Sequence, residues 1–174
     1  TARVVGKVDR VDGWLDGGRL YLRVVDYKTG RKSFDLAELR YGLGLQMLLY
    51  LFTLEERGSA LFGGKEIVPA GVLYTPAREP LLRCARDTSP EKIEKALKKE
   101  LRRSGMVLED PAVLKAMEHS ALESPCYLPI AVKKDGEVTG SLASAEQLGK
   151  LSRYVDHLLR QIMDEVFSGN IDAD

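Results

Sequence analysis

The first thirty residues alternate between apolar and polar positions in the manner of two β-strands. Residues 3–12 and 19–27 follow a two-residue period or run apolar, and "DGWLDGGRL" joins them. Gly17 and Gly18 suit a two-residue turn because both positions tolerate the positive φ that a tight hairpin requires. The chain therefore opens with a predicted antiparallel hairpin.

A helical period follows the hairpin. Asp35 is placed as an N-cap residue, with Glu38 three positions later in a capping-box pattern, and Gly58 is typical of the residue that ends a helix. The pattern predicts one helix from Asp35 to about Glu56. Its apolar stripe consists of Leu36, Leu39, Leu43, Met47, Leu51 and Leu54.

The rest of the pattern predicts one more strand, three helices and a second hairpin. The order is that of a single α/β domain with a mixed central β-sheet flanked by helices, covering residues 1–174 with its core motifs in 4–75 and an α/β tail in 76–174. The strand covers residues 67–75, the helices run from Ser89 to about Arg103, from Asp110 to about Glu118 and from Ser144 to near Gly169, and the hairpin turns at Asp135-Gly136.

Charge is balanced over the chain, with 26 basic and 26 acidic residues. A neutral domain has no overall positive field to attract nucleic acid, so polyanion binding would depend on local patches. Such patches occur at Arg31-Lys32, at Lys133-Lys134 and along the helix that carries Lys95, Lys98, Lys99, Arg102 and Arg103, although charge runs on helices are usually solvated faces.

Cysteine usage and hydropathy indicate a cytoplasmic protein. Cys84 and Cys126 are far apart and lack metal-site spacing, which predicts two buried thiols in a reducing compartment. No apolar run reaches the length of a membrane span, and no signal peptide opens the chain. The chain lacks an initiator Met and enters a strand pattern almost at once, so we expect it to be part of a larger protein.

The turn at Gly17-Gly18 sets the register of the first hairpin. It pairs Trp14 with Tyr21 and Asp12 with Arg23, an aromatic and an opposite-charge pair, which are favourable cross-strand neighbours. The same register places Asp9 opposite Asp26. The hairpin is therefore predicted to bring two like charges together.

Two facing carboxylates need compensation. Their Cβ atoms would lie about 5 Å apart, and their repulsion would be about 3 kcal/mol at an effective dielectric constant near 20. Lys28 lies on the same face as Asp26, two residues along the strand. Oxygen ligands suit Mg²⁺, so two acids and a lysine on one face predict a divalent-metal site, the alternative being ordinary surface charges at a strand end.

Three ordered motifs carry a resemblance to a known family. They are "GKVDRVD" (residues 6–12), "VVDYKTG" (residues 24–30) and "GLQMLLYL" (residues 44–51). The chain resembles the RecB-type nuclease modules of the PD-(D/E)xK superfamily, whose motifs are G-x-(I/V)-D, D-Y-K and Q-x-x-x-Y, and in particular those of AddB-type subunits of bacterial helicase–nucleases. The resemblance implies a restriction-endonuclease-like core and Mg²⁺-dependent, or Mn²⁺-dependent, hydrolysis of DNA.

The resemblance also implies roles for single residues. Asp9 and Asp26 would be metal ligands together with the backbone carbonyl of Tyr27, and Lys28 would orient or activate the attacking water and stabilise charge on the phosphate. Gln46 and Tyr50, four residues apart on one helix face, would support the metal ligands or hold DNA. Gly42, one turn earlier, would leave room for a partner to approach.

Further expectations concern the intact assembly. The resemblance implies a helicase–nuclease A-type subunit as partner, DNA as substrate, and a role in double-strand-break repair and recombination. It also implies a 4Fe-4S cluster held by four cysteines outside this chain, and neither Cys84 nor Cys126 matches them, so no cluster is predicted here. An upstream helix that often completes the metal site is also outside the chain, which leaves the activity of the fragment open.

Two other functions remain open at this stage. The domain could have kept the fold as a catalytically inactive DNA-binding or subunit-docking element, or it could hydrolyse small phosphodiesters. A phosphate-binding loop at "GSALFGGKE" is excluded because Gly64 and Glu66 stand where the motif needs Lys and Ser or Thr. His119 and His157 are isolated and are expected to be surface or packing residues.

Overall fold

A computed structural model describes residues 4–42 and 44–169 of the chain. The strands are β1 (Arg10–Asp16), β2 (Arg19–Lys28), β3 (Glu66–Pro76), β4 (Ser104–Leu108), β5 (Ile130–Val132), β6 (Val138–Gly140) and β7 (Leu142–Ala143). The α-helices are α1 (Leu45–Arg57), α2 (Pro90–Glu100), α3 (Pro111–Met117) and α4 (Ala145–Ser168), and short 3₁₀ helices cover Leu36–Tyr41 and Gly58–Ala60.

The main sheet is mixed, as the sequence predicts. Its strand order is β1-β2-β3-β4-β7, while β5 and β6 form a separate hairpin. The β2–β3 and β4–β7 pairs are parallel, and the β1–β2 and β3–β4 pairs are antiparallel. Because β2 and β3 are parallel, their carboxyl ends lie together at one edge of the sheet, which is where ligands commonly bind in open α/β sheets.

The first hairpin has the predicted turn and register. Gly17 and Gly18 both adopt positive φ, 54° and 86°. Trp14 pairs with Tyr21 at a ring distance of 5.3 Å, and Asp12 pairs with Arg23. The first strand is shorter than predicted, because pairing stops at Arg10 with Val25 instead of reaching back to residue 3.

The predicted helix from Asp35 to Glu56 is two pieces. Asp35 does cap the first piece, accepting a hydrogen bond from Ala37 N at 2.8 Å. The chain then turns at Gly42 and Gly44, both left-handed with φ near 71° and 72°, before α1 begins. Gly42 therefore turns the backbone and does not open a helix face.

The apolar stripe of that helix is partly correct. Leu39, Met47 and Leu51 are fully buried, whereas Leu36 is about half exposed. Leu43 lies outside the described residues.

Two apolar clusters cover the two faces of the main sheet. Val72 belongs to one cluster and its neighbour Leu73 to the other, as alternation along a strand requires. Helices α1 and α4 contribute to the first cluster, and α3 with the segment that follows it contributes to the second. The sheet is therefore the middle layer of the fold.

The second half confirms most predicted boundaries. Asp110 accepts hydrogen bonds from the N–H groups of Ala112 and Val113, and Ser144 forms a complete capping box with Gln147. Helix α2 ends at Glu100, before the predicted Arg103, because the chain enters β4 at Ser104. Strands β4 and β7 are not predicted by the sequence pattern.

Two expectations on composition have different outcomes. Within residues 4–42 and 44–169, no helix combines the length and the apolarity that a membrane crossing requires. Both cysteines are free thiols, but Cys84 is exposed and Cys126 only half-buried, so the prediction of two buried thiols is wrong.

A glycine in β4 permits close approach of β3. A Cβ added at Gly105, whose φ is 151°, would collide with the carbonyl oxygen of Val72 and lie 2.9 Å from Leu73 Cα. Both obstacles are backbone atoms in the centre of the sheet, so neither can move away cheaply.

We predict that Gly105→Ala lowers the free energy of unfolding by about 3 kcal/mol, since it adds backbone strain to overpacking. Gly149→Ala is the matched control, because a Cβ there meets only Arg153 Nη1 at 3.8 Å and lies inside helix α4. That change should raise stability by about 0.5 kcal/mol. Urea unfolding measures the stability of both variants. Equal effects would contradict the close approach of β3 to Gly105.

Candidate active site

The carboxyl end of β2 holds an acid and a lysine in direct contact. Lys28 Nζ lies 2.6 Å from Asp26 Oδ2, and the two side chains are 38% and 14% exposed. Asp26 Oδ2 is buried, and the Lys28 ammonium is the only partner that the described residues give it. A largely buried carboxylate oxygen with a free lone pair is suited to binding a further cation.

Lys28 is held between negative charge and an aromatic ring. The contact with the Asp26 carboxylate raises the pKa of Lys28, burial acts against this rise, and the negative charges of Asp26 and Asp9 add to it. The ammonium also lies 5.6 Å from the centre of the Tyr74 ring, a cation–π distance. Because the pKa is above its already alkaline ordinary value, Lys28 is a cation at neutral pH.

Asp9 lies one step beyond the last pair of the β1–β2 ladder, at a bend that precedes β1. Its Oδ2 accepts a hydrogen bond from the backbone N–H of Tyr27 at 3.1 Å. The side chain of Asp9 thus occupies a backbone donor of β2, which helps to explain why strand pairing ends there. The register that is predicted to place Asp9 opposite Asp26 is observed as far as the pair of Arg10 with Val25, where the ladder ends, and Asp9 contacts the residue between Asp26 and Lys28.

Gln46 and Tyr50 of α1 pack against the segment that precedes Asp9. Gln46 Nε2 donates a hydrogen bond to the Tyr50 hydroxyl at 2.9 Å, one turn along α1. The Tyr50 ring lies directly against Gly6, where an added Cβ would be 2.6 Å from Tyr50 Cε1. The helix therefore contacts the same short segment that carries Asp9, three residues later. The sequence places Gln46 and Tyr50 on one helix face, but it does not reveal the contact with Gly6.

A charged network stabilises the hairpin beside the site. Asp12 contacts Arg10 and Arg23, and it lies 2.8 Å from Arg23 Nη2. Burial alone would raise the pKa of Asp12, but the hydrogen bonds from the two arginines outweigh burial and hold that pKa below its ordinary value. Arg10 also donates to the Tyr27 hydroxyl at 3.1 Å. This network fixes the outer side of β2 next to Asp26.

The oxygen donors near Lys28 are few. Nowhere in residues 4–42 and 44–169 do three His, Cys, Asp or Glu side chains converge as a complete metal-binding group. The ligands predicted from the sequence, Asp9, Asp26 and the backbone carbonyl of Tyr27, are all hard oxygen donors, the kind that suits Mg²⁺ while leaving positions for water and phosphate oxygens.

Comparison with known proteins gives a consistent result. The model of the PD-(D/E)XK nuclease superfamily matches residues 1–173. The chain is 37% identical over 171 residues to a protein of Ruminiclostridium cellulolyticum that is named as the B subunit of an ATP-dependent helicase/deoxyribonuclease. It is 36% identical over 174 residues to a protein of that name from Clostridioides difficile, and 37% identical over 170 residues to one from Acetivibrio thermocellus. Each match covers 97% of this chain, which spans about 15% of the length of these curated relatives.

We predict that Gly6→Ala lowers the free energy of unfolding by about 1–2 kcal/mol, because the new methyl group must displace the Tyr50 ring and its bond to Gln46. Gly30→Ala is the control, since Gly30 lies on the other side of Lys28 in the sequence and an added Cβ there meets no atom within 4 Å among the described residues. Chemical denaturation should separate the two variants. A Gly6→Ala protein as stable as Gly30→Ala would contradict the contact.

Proposed function

Because the chain belongs to the PD-(D/E)XK nuclease superfamily, we propose that it hydrolyses DNA phosphodiesters at the carboxyl end of β2. The observation that carries this proposal is the buried Asp26 oxygen in direct contact with the Lys28 ammonium at the carboxyl end of β2. Asp9 and Asp26 lie near the same strand end, where a bound cation would offset their negative charge. Lys28 at that strand end can pair with a phosphate. Metal-assisted hydrolysis of DNA supplies both the cation and the phosphate.

A divalent cation, Mg²⁺ or Mn²⁺, would be held by Asp9, Asp26 and the backbone carbonyl of Tyr27. The free lone pair on Asp26 Oδ2 fits such a cation, and the exposed Asp9 carboxylate has an oxygen beyond the one bound to Tyr27 N. When bound, the cation would neutralise a phosphate oxygen, help to ionise water and stabilise the departing oxygen. The donors are oxygens only, which favours these hard ions over zinc.

Lys28 supplies positive charge to the reaction. As an ammonium, it donates hydrogen bonds to the phosphate and to the attacking water, and it does not itself remove a proton from that water. Hydrolysis joins the water oxygen to phosphorus while the bond from phosphorus to the leaving sugar oxygen breaks, and negative charge accumulates on the phosphate oxygens. The attacking water releases its proton to solvent, and the leaving sugar oxygen takes one up from solvent. A fixed cation there stabilises the transition state more than the ground state.

Gln46 and Tyr50 act as positioning residues in this proposal. Tyr50 packs on Gly6 and receives the Gln46 hydrogen bond, so the two residues define where the segment from Gly6 to Asp9 runs. Displacing a ligand by about 1 Å can cost a factor of about 100 in rate. Their loss should therefore reduce activity through the position of Asp9.

The wider assignment follows from the names of the relatives. We propose that the chain is the exonuclease domain of a bacterial helicase–nuclease, which cuts a strand as a motor delivers it and acts with an A-type helicase subunit in double-strand-break repair and recombination. The relatives are named as B subunits of a helicase/deoxyribonuclease, which supports this proposal. Such an enzyme would work in the cytoplasm, at the nucleoid. A neutral net charge agrees with DNA that is delivered by a larger machine.

Asp26→Ala and Lys28→Ala should each lower DNA cleavage by this domain at least about 100-fold in the intact complex, since each removes charge stabilisation from the reacting phosphate. DNA unwinding should continue. Asp16→Asn, on an exposed residue of the same hairpin, is the matched control and should leave both activities unchanged. Cleavage measured on end-labelled duplex DNA decides the matter, and full cleavage by Asp26→Ala would refute the proposed site.

Isothermal titration calorimetry with Mn²⁺ should show binding to the intact protein that Asp26→Ala abolishes and Asp16→Asn preserves. The reason is that Asp26 supplies a buried oxygen donor, whereas Asp16 is exposed on the same hairpin and is not among the proposed ligands. Equal Mn²⁺ binding by all three proteins would show that the metal does not bind at this strand end. Lack of binding in the wild-type protein would instead favour a domain that binds DNA or docks a partner protein without cutting.

A further inference from the structure

A basic cleft opens beside the catalytic lysine. It has a volume of about 410 Å³ and lies where the carboxyl ends of β2 and β3 meet the last turn of α2. Its lining includes six cationic side chains and a single carboxylate, that of Glu100. The cations are Lys28, Arg31, Lys32, Arg78, Lys99 and Arg102. Since the whole chain is neutral, this cleft is a local concentration of positive charge.

Glu100 joins two arginines from different segments. Arg31 Nη2 lies 3.1 and 3.2 Å from the two Glu100 oxygens, and Arg78 Nη2 donates to Glu100 Oε2 at 3.2 Å. Arg31 follows β2, Arg78 follows β3, and Glu100 ends α2. Each guanidinium uses one nitrogen on Glu100 and has further N–H groups in a planar fork that matches phosphate oxygens.

A hydroxyl in the same lining needs a partner. Thr75 Oγ1 is buried and, within the part of the chain that the structure describes, it makes no hydrogen bond. Thr75 pairs with Tyr27 across the parallel strands, so it lies next to the strand end that holds Lys28. A hydroxyl can donate to a phosphate oxygen, which would satisfy it.

Arg102 differs from the other cations. Its guanidinium donates to the backbone carbonyls of Leu128 and Ile130, so it fixes one wall of the cleft. Arg31 and Lys32 lie in the first of the basic patches visible in the sequence, but Arg78 does not belong to any of them. Only the meeting of three chain segments turns these separate charges into one surface.

We propose that the basic cleft binds the phosphodiester backbone of the DNA strand being cut, at phosphates next to the scissile bond. Arg31 and Arg78, held as a pair by Glu100, contact one phosphate, and the Thr75 hydroxyl donates to the strand between that phosphate and Lys28. This inference rests on the proposed function, because it takes Lys28 as the residue at the reacting phosphate. It assigns a backbone-binding role to residues that carry none of the three motifs.

The first test is binding of a fluorescent single-stranded oligonucleotide to the intact protein in EDTA, where no cleavage occurs, over a range of salt concentrations. Arg31→Gln and Arg78→Gln should each weaken binding and lower the magnitude of the log–log salt slope by about 0.7, the value for one lost phosphate contact on a single strand. Lys95→Gln is the control, since Lys95 is exposed on α2 and outside the cleft lining. Arginine variants that bind like Lys95→Gln would overturn the inference.

Glu100→Gln separates positioning from charge. Removing a negative charge from a DNA-binding surface by itself strengthens binding, whereas releasing two arginines from a fixed arrangement weakens it. We expect binding weakened several-fold, with the salt slope kept. Tighter binding would show that Glu100 competes with DNA and would overturn its positioning role.

A measurement on the wild-type protein avoids the risk that a variant fails to fold. Bound oligonucleotide should protect Arg78 and Arg31 from arginine-specific modification by phenylglyoxal, read by mass spectrometry, while exposed Arg57 stays reactive. Unchanged reactivity of Arg78 and Arg31 would refute the cleft as a DNA site. Asp26→Ala, run in parallel, should bind the oligonucleotide in EDTA with an unchanged slope, and it should not cut DNA when Mg²⁺ is supplied. Cleavage by that variant would refute the proposed function and leave the binding result intact.

Discussion

The site depends on a carboxylate that is largely removed from water. Asp26 lies at the end of β2, an inner strand with neighbours on both sides, and its side chain is 14% exposed. An ionised carboxylate in such a place requires nearby positive charge, because desolvation costs several kcal/mol when nothing compensates it. Lys28 supplies part of that charge at 2.6 Å, yet one Asp26 oxygen keeps a free lone pair. The fold thus maintains a strand end that favours both a cation and a phosphate.

The surrounding elements hold this strand end in place. The Asp9 carboxylate closes the hairpin ladder on the N–H of Tyr27, and Tyr50 from α1 packs on the backbone three residues before Asp9. On the other side, β3 runs parallel to β2 and carries Thr75 and Tyr74 next to Tyr27 and Asp26. Rigid elements therefore position each proposed ligand, which is what a metal-assisted reaction requires of its protein.

Positive and negative charges balance over the whole protein, but they are unevenly distributed around the site. The chain as a whole is neutral, but a cluster of cationic side chains lines the cleft beside Lys28. Asp9 and Asp26 are the acids that act on Lys28 itself. Such an arrangement can hold a strand by its phosphates close to the acids without attracting nucleic acid over the whole surface. It also fits a domain that receives its substrate from a partner.

Local chemistry alone determined much of this fold. The turn at Gly17-Gly18 sets the register of the hairpin, and the caps at Asp110 and Ser144 start their helices, because each depends on residues within a few positions of one another. The tertiary structure decided the rest. The short strands β4 and β7, the contact of Tyr50 with Gly6, and the grouping of Arg31, Arg78 and Glu100 all join segments distant in sequence. No local period records such pairings, since their free energy comes from partners that only the folded chain brings together.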